Sequence, residues 1–310
     1  MIYLVRRIAG AALVLWFVMT CVFLLVHVVG DPARAALGER ASPAQLEAFR
    51  ARHALDQPLG ARYAAYLGEL VTLRLGRSYQ DEEEVRALIG RRLPRTMLLG
   101  AMAIGMELGL GILLGTLAAL KRGRWIDSVV MSGTFVGLSL PSFLLGMWVL
   151  STFAFRLGWF PIGGYGDAGW DHVWHAILPA LTLAVLGTST YARLVRSELI
   201  EALESDYVRT ARAKGISRAR VVLVHAGRNA LLPVVTLLGL SLRLLVSGAV
   251  VVETVFGWPG MGRLAVESIS GLDLPVVMGI VFVGCAVVQI GNVAADFAVY
   301  ALDPRQRTHE

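Results

Sequence analysis

Residues 205–235 read SDYVRTARAKGISRARVVLVHAGRNALLPVV, a basic run that ends on Leu232-Pro233 and enters a long apolar block. An equally apolar block, 177–194, precedes it. The same alternation fills the chain: 56% of its 310 residues are hydrophobic and only 17% are charged, with a mean hydropathy of +0.63. Soluble domains carry roughly a quarter charged residues, and these apolar blocks exceed the length of buried strands or ordinary core helices. The composition is that of an integral membrane protein. The net charge of +6 does not point to nucleic acid, because the cations flank apolar blocks rather than gather on one soluble face. Cys21 and Cys285 both lie inside apolar blocks, so no disulfide framework is implied.

Six blocks reach the roughly 20 apolar residues a membrane-spanning helix needs: 8–29, 97–120, 129–155, 177–194, 232–255 and 276–302. The first follows Arg6-Arg7 and precedes Ala33-Arg34-Ala35, which resembles a signal-peptide cleavage site. Its apolar run exceeds the usual signal length of about 7–15 residues, so a retained helix is expected. Orientation follows from Lys and Arg in the short flanks. Arg6, Arg7, Lys121, Arg122 and Arg124 fall on one side together with Arg193–Arg228, Arg305 and Arg307, whereas the short loops opposite hold only Arg156 and Arg263. Both termini are therefore expected in the cytoplasm, and 205–231 with them.

The expected organisation is an N-terminal spanning helix (1–29), a helical extracytoplasmic segment (30–95), and a five-helix core (96–310) with a cytoplasmic loop at 195–231. In the outer segment, Ser42-Pro43-Ala44-Gln45 has the pattern of a capped helix start. Tyr63, Tyr66, Leu67 and Leu70 recur at helical spacing, and Asp81-Glu82-Glu83-Glu84 is expected to open another helix.

The basic loop is too patterned for a linker. Ser205 and Asp206 can cap a helix running through Lys214, and Gly215 can end it in the left-handed conformation. Ser217 can cap a second helix carrying Val221, Val222 and Val224, and Pro233 fits the first turn of the next span. Arg209-Thr210-Ala211, three residues and Gly215, with Ile200 upstream and Ile216 and Val222 downstream, resemble the coupling-loop signature of inner-membrane subunits of binding-protein-dependent ABC transporters. Arg209 stands where many members have Glu, and Gly227 where a larger aliphatic residue is usual. "GDP" at 30–32, "LDQPL" at 55–59, "LGRSY" at 75–79, "GLSLPSFLLG" at 137–146, "LGWFPIGG" at 157–164, "ILPALTLA" at 177–184, "ETVFGWPGMGR" at 253–263 and "LDPR" at 302–305 are similar, in order, to the dipeptide/oligopeptide permease family.

The resemblance implies a permease subunit that pairs with a second homologous permease subunit, docks two cytoplasmic ATPase subunits, and receives solute from an extracytoplasmic substrate-binding protein. Coupling would run through Asp206, Tyr207, Arg209, Thr210, Ala211, Lys214, Gly215 and Ile216. No phosphate-loop pattern G-x-x-x-x-G-K-[ST] occurs, so ATP and Mg are expected on the partners and no cofactor or catalytic residue in this chain. Peptides are the expected solute, with nickel or another small solute as the alternative within the family. An ion-coupled secondary transporter is the alternative of another class; it would use carboxylates such as Glu107 and Asp296, but no inverted repeat of discontinuous helices is visible.

Ionisable residues inside spans are costly and mark partners or aqueous paths. Glu107 and Arg243 fall near the middle of the second and fifth spans, where they either pair or line the path. Gly105–Gly109 and Gly111–Gly115 are small-xxx-small pairs suited to close helix packing, and Pro141 and Pro179 suggest helix bends. Asp171, His172 and His175 lie beside Trp170 and Trp174; the histidines are expected to be interfacial rather than metal ligands.

Overall fold

The computed structural model describes residues 2–29, 32–38, 40–53, 55–231, 233–234, 237–238 and 249–302, of which 2–6, 27–29, 32, 35–36 and 294–302 are described as backbone only. In chain order the helices are α1 (Ile2–Val29), α2 (Pro32–Leu37), α3 (Pro43–Arg52), α4 (Leu59–Val71) and α5 (Val85–Leu120). Then come α6 (Trp125–Ser139), α7 (Ser142–Val149), α8 (Trp170–Glu204) and α9 (Asp206–Ala213). The short α10 (Arg218–Arg220) and α11 (Gly227–Ala230) lead to α12 (Ala249–Val255), α13 (Met261–Ser270) and α14 (Leu274–Leu302). Wider π-helical turns extend α7 over Leu150–Arg156 and join α10 to α11 over Val221–Ala226. Apart from an isolated antiparallel bridge between Arg77 and Glu84, the described residues are helical or irregular.

Four helices among the described residues are long and apolar enough to cross a membrane, within α1, α5, α8 and α14. A fifth span exists if α6 and α7 with its π-helical turn count as one, bent by 107°. The bend falls where expected, at Pro141, whose missing N–H and restricted predecessor end α6 at Ser139. Pro179, by contrast, lies inside the unbroken α8. The expected fifth span, 232–255, lies largely outside the described residues, Arg243 with it; α12 is its end. The side chain of Asp296 also lies outside them.

At 36 and 35 residues, α5 and α8 are about 54 and 52 Å long, well beyond a hydrocarbon layer of about 30 Å. The acidic run Asp81–Glu84 immediately precedes a helix, as expected, but that helix is not separate from the second span expected from 97: α5 runs continuously from Val85 through Pro94. Val85, Leu88 and Ile89 explain the fusion, since they are buried and give this first part its own apolar face.

The chain divides into two compact units. The first comprises residues 1–96 and 259–290. Val85, Leu88 and Ile89 pack with Met261, Leu264 and Val276. Phe23 of α1 meets the rings of Tyr63 and Tyr66 on α4 at 5.2 and 5.4 Å, and the Thr20 and Tyr63 hydroxyls lie 2.6 Å apart. Ser42 forms the expected capping box: its backbone N–H donates to Gln45 Oε1 at 2.9 Å, and its Oγ accepts from the Gln45 N–H at 3.3 Å. Buried Asp273 ties the segment before α5 down, accepting from the Ser78 hydroxyl and, at 3.1 Å, from the Tyr79 N–H.

The second unit comprises 97–258 and 291–310. Here α8 is the central post. Gly111 and Gly115 of α5 sit so close to it that a Cβ would lie 2.4 Å from Tyr191 Cβ and 2.6 Å from the Ala192 carbonyl. A Cβ on Gly105 or Gly109 would meet nothing within 4 Å among the described residues, whereas the second glycine pair packs directly on α8. Leu145 and Val149 of α7, Leu178 of α8, and Val252 and Phe256 form a further core. The 157–164 loop closes over it, with the Gly164 N–H donating to the Phe256 carbonyl at 3.1 Å.

Candidate coupling site

The helix α9 is amphipathic by its spacing. Val208, fully buried, and Ala211 point inward and pack with Ala119 at the end of α5, Leu199 and Ala202 at the end of α8, and Val221, Val222 and Ala226 of the following turns. Asp206, Tyr207, Arg209, Thr210 and Lys214 are exposed. Two amphipathic segments thereby bury their apolar sides against one another and leave a polar face outward.

The end of α9 is a Schellman cap. Gly215 has φ +78°; its N–H donates to the Arg212 carbonyl at 3.0 Å, and the Ile216 N–H donates to the Ala211 carbonyl at 3.3 Å. Ile216 packs against the same core, supplying the apolar contact that accompanies this motif. A Cβ on Gly215 would meet nothing within 4 Å, so its glycine is required by backbone conformation and not by space.

At the start of α9 the expected capping differs. Ser205 has the extended backbone of a cap, but its hydroxyl donates back to the Ala202 carbonyl at 2.5 Å. Asp206 instead forms an exposed ion pair with Arg209 at 3.3 Å, and its carbonyl accepts from the Thr210 hydroxyl at 2.9 Å. Arg209 thus lies along the surface of its own helix. Ser217 likewise makes no side-chain cap, and the expected second helix is three residues of α10 followed by the π-helical turn, with Val221 and Val222 buried and Val224 exposed. Sequence reasoning missed Val208, the most deeply buried residue of α9, although its three-residue spacing to Ala211 was a usable signal.

Glu107 is 8% exposed and lies against α8 at Gly187, where a Cβ would stand 1.8 Å from Oε2. Arg243 is outside the described residues, so the two sequence-selected charges are not seen together. In the first turn of α8, His172 stacks on Tyr165 of the preceding loop at 3.9 Å and bonds to its carbonyl through Nδ1 at 2.8 Å. His175 Nδ1 lies 2.9 Å from the Asp171 carbonyl. His172 ties the loop to the helix, and His175 stays within α8. Among the described residues there is no group of three His, Cys, Asp or Glu side chains arranged to hold a metal.

Residues 111–308, which include the whole of this site, match the family model of the binding-protein-dependent transport system inner membrane component. The chain belongs to this family. Residues 1–100 match the N-terminal model of the same membrane components. A protein of Brucella abortus (strain 2308) named as a peptide transport system permease is 40% identical over 311 aligned residues, 98% of each chain. Glutathione transport system permease proteins GsiC of Pectobacterium atrosepticum and Escherichia coli O6:H1 are 38% and 37% identical, again over 98% of each chain.

Solved structures agree at the level of fold. A chain of the inward-facing MetNI methionine ABC transporter superposes with a TM-score of 0.58 at 19% identity, covering 70% of this chain and 96% of that one. A chain of an amino acid ABC transporter crystallised with histidines gives 0.53 at 14% identity, covering 69% and 94%. This permease is the membrane component of an ABC importer, and ATP belongs to the partner ATPase.

Proposed function

We propose that this permease subunit carries short peptides into the cytoplasm. The single observation behind that reading is the full-length similarity, at 37–40% identity, to permeases named for peptides and for glutathione. Six spans place both termini and 195–231 in the cytoplasm and 30–95 outside. The polar face of α9 docks in an ATPase subunit through Asp206, Tyr207, Arg209, Thr210 and Lys214, while Ala211, Gly215 and Ile216 fix its shape. A second permease subunit completes the path, a second ATPase subunit docks on that one, and a binding protein delivers peptide outside.

The packing of α9 supports a lever. Its buried side rests on the ends of both α5 and α8, so force applied to its outer face passes into two spanning helices rather than into a loose loop. Rocking of those helices would exchange access between the two sides of the membrane.

Proteoliposomes holding the assembled transporter, with trapped ATP and the binding protein outside, provide the test. Labelled tripeptide should accumulate without any ion gradient. Gly215→Val places a β-branched residue at positive φ, a strain of about 1–2 kcal/mol, and should leave assembly intact while ATP hydrolysis no longer drives uptake. Wild-type vesicles that import no peptide would refute the substrate; coupled uptake by Gly215→Val would refute the lever.

A further inference from the structure

A cavity of about 500 Å³ lies in the first unit, between the 37–82 segment and the start of α14. That volume is within the range of about 300–1,000 Å³ typical of small-ligand sites. We propose that it is a binding site for the two ends of a short zwitterionic peptide, with Arg74 and Arg77 taking the terminal carboxylate, Glu69 the ammonium group, and Phe49 and Met278 an apolar side chain.

Charge accounting leads to this assignment. Arg52 and Glu82 on the cavity wall neutralise each other as an ion pair at 3.5 Å. Arg74, Arg77 and Glu69 also line the cavity, and among the described residues none of the three side chains forms an ion pair. The cavity therefore presents two guanidinium groups and one carboxylate beside apolar wall. Guanidinium groups hold carboxylates through paired, charge-assisted hydrogen bonds. A simple anion would leave Glu69 unmatched, and a simple cation would meet two repelling arginines.

Tyr66 adds an independent observation. It lines the same cavity, and its hydroxyl is buried with no hydrogen-bond partner among the described residues. Leaving a buried hydroxyl unmatched costs about 1–3 kcal/mol, and a turn of the ring that brings it to a peptide carbonyl in the cavity would remove that cost. Burial also pushes the Tyr66 phenol well above its ordinary range, so it remains a donor.

The inference rests on the peptide reading above. In the proposed topology the cavity faces outside, where delivered peptide would pause before entering the path.

The test uses the full transporter in phosphatidylcholine nanodiscs without the binding protein, titrated calorimetrically with trileucine. Saturable binding is expected, weakened roughly tenfold or more by C-terminal amidation or by the R74Q/R77Q double substitution, the scale of a lost charged hydrogen bond. N-acetylation and Glu69→Gln should each weaken it less, and Tyr66→Phe, which keeps the ring, should also weaken it. Assembly should be unchanged in R74Q/R77Q. Equal affinity of amidated trileucine, or of R74Q/R77Q for trileucine, would overturn the site. So would a phospholipid seen by native mass spectrometry on the wild type and lost from R74Q/R77Q. If vesicles import peptide but trileucine binding ignores these substitutions, only this site fails; if they import none, the peptide reading fails.

Discussion

Arg196 of α8 lies side-on against Asp127 of α6, with Nε 2.6 Å from Oδ1 and Nη2 2.7 Å from Oδ2. This two-point geometry fixes distance and rotation together, which a single contact does not. Asp127 Oδ2 also accepts the Gly123 N–H at 3.0 Å, so one carboxylate joins α8 to the turn that links α5 and α6. The Asp127 side chain is only 8% exposed.

Removing one partner leaves a charge without its match in a poorly solvated place. Asp127→Ala and Arg196→Leu are each expected to lower stability by about 3 kcal/mol. The double substitution should recover most of that but not all, because the Gly123 N–H still lacks its acceptor. Thermal unfolding of the purified permease in detergent measures the cycle, and strictly additive losses would show that the pair contributes no coupling.

The glycines of α5 make a contrast inside one helix. Gly111→Ala and Gly115→Ala force a methyl group into Tyr191 and the Ala192 carbonyl, and should cost about 1–3 kcal/mol each. Gly105→Ala and Gly109→Ala face open space among the described residues and should be neutral or slightly stabilising, since Ala is the better helix former. Equal melting shifts for all four would mean that α5 does not pack on α8 as described.

That contrast also marks what the sequence could tell. Both glycine pairs have the same spacing, and nothing local distinguishes the pair that meets α8. The capping box at Ser42 and the left-handed Gly215 were legible because each is decided within about four residues. The fusion of the acidic run's expected helix with the second span was not, because it depends on Val85 and Ile89 finding Met261 and Val276 far along the chain. The Asp127–Arg196 pair was hidden for the same reason: sixty-nine residues separate the partners.

His53 should make the 30–95 segment acid-sensitive. Its ring sits between Phe49 at 4.3 Å and Tyr79 at 4.7 Å. Burial, and then the neighbouring Arg52, lower its pKa from the ordinary 6.5, with Glu82 opposing. The unfolded chain therefore takes up the proton first as pH falls. Stability is level above 6.5 and declines as pH drops from there through the lowered folded value. Limited proteolysis of residues 30–95 between about pH 7.5 and about pH 5.5 should show faster cleavage on the acid side, with part of the slope removed by His53→Gln. An unaltered slope in that variant would assign the acid sensitivity elsewhere.

The buried acid of α5 is open to a sharper test. Glu107 lies against Gly187, leaving no room for a side chain there, and Arg243 is placed at similar depth by counting along its span. If the two form a pair, Glu107→Leu and Arg243→Leu should each cost about 3–5 kcal/mol, and the double substitution should be close to neutral. Gly187→Ala would push the carboxylate aside, so it should resemble Glu107→Leu in the wild type yet cost little once Glu107 is already Leu. A path-lining arginine gives another pattern: Arg243→Leu folds normally but loses uptake, and Glu107→Leu does not restore it. Melting temperature and uptake, measured on the same five variants, separate the two. The prediction made here is the pair, and independent, additive losses of stability would reject it.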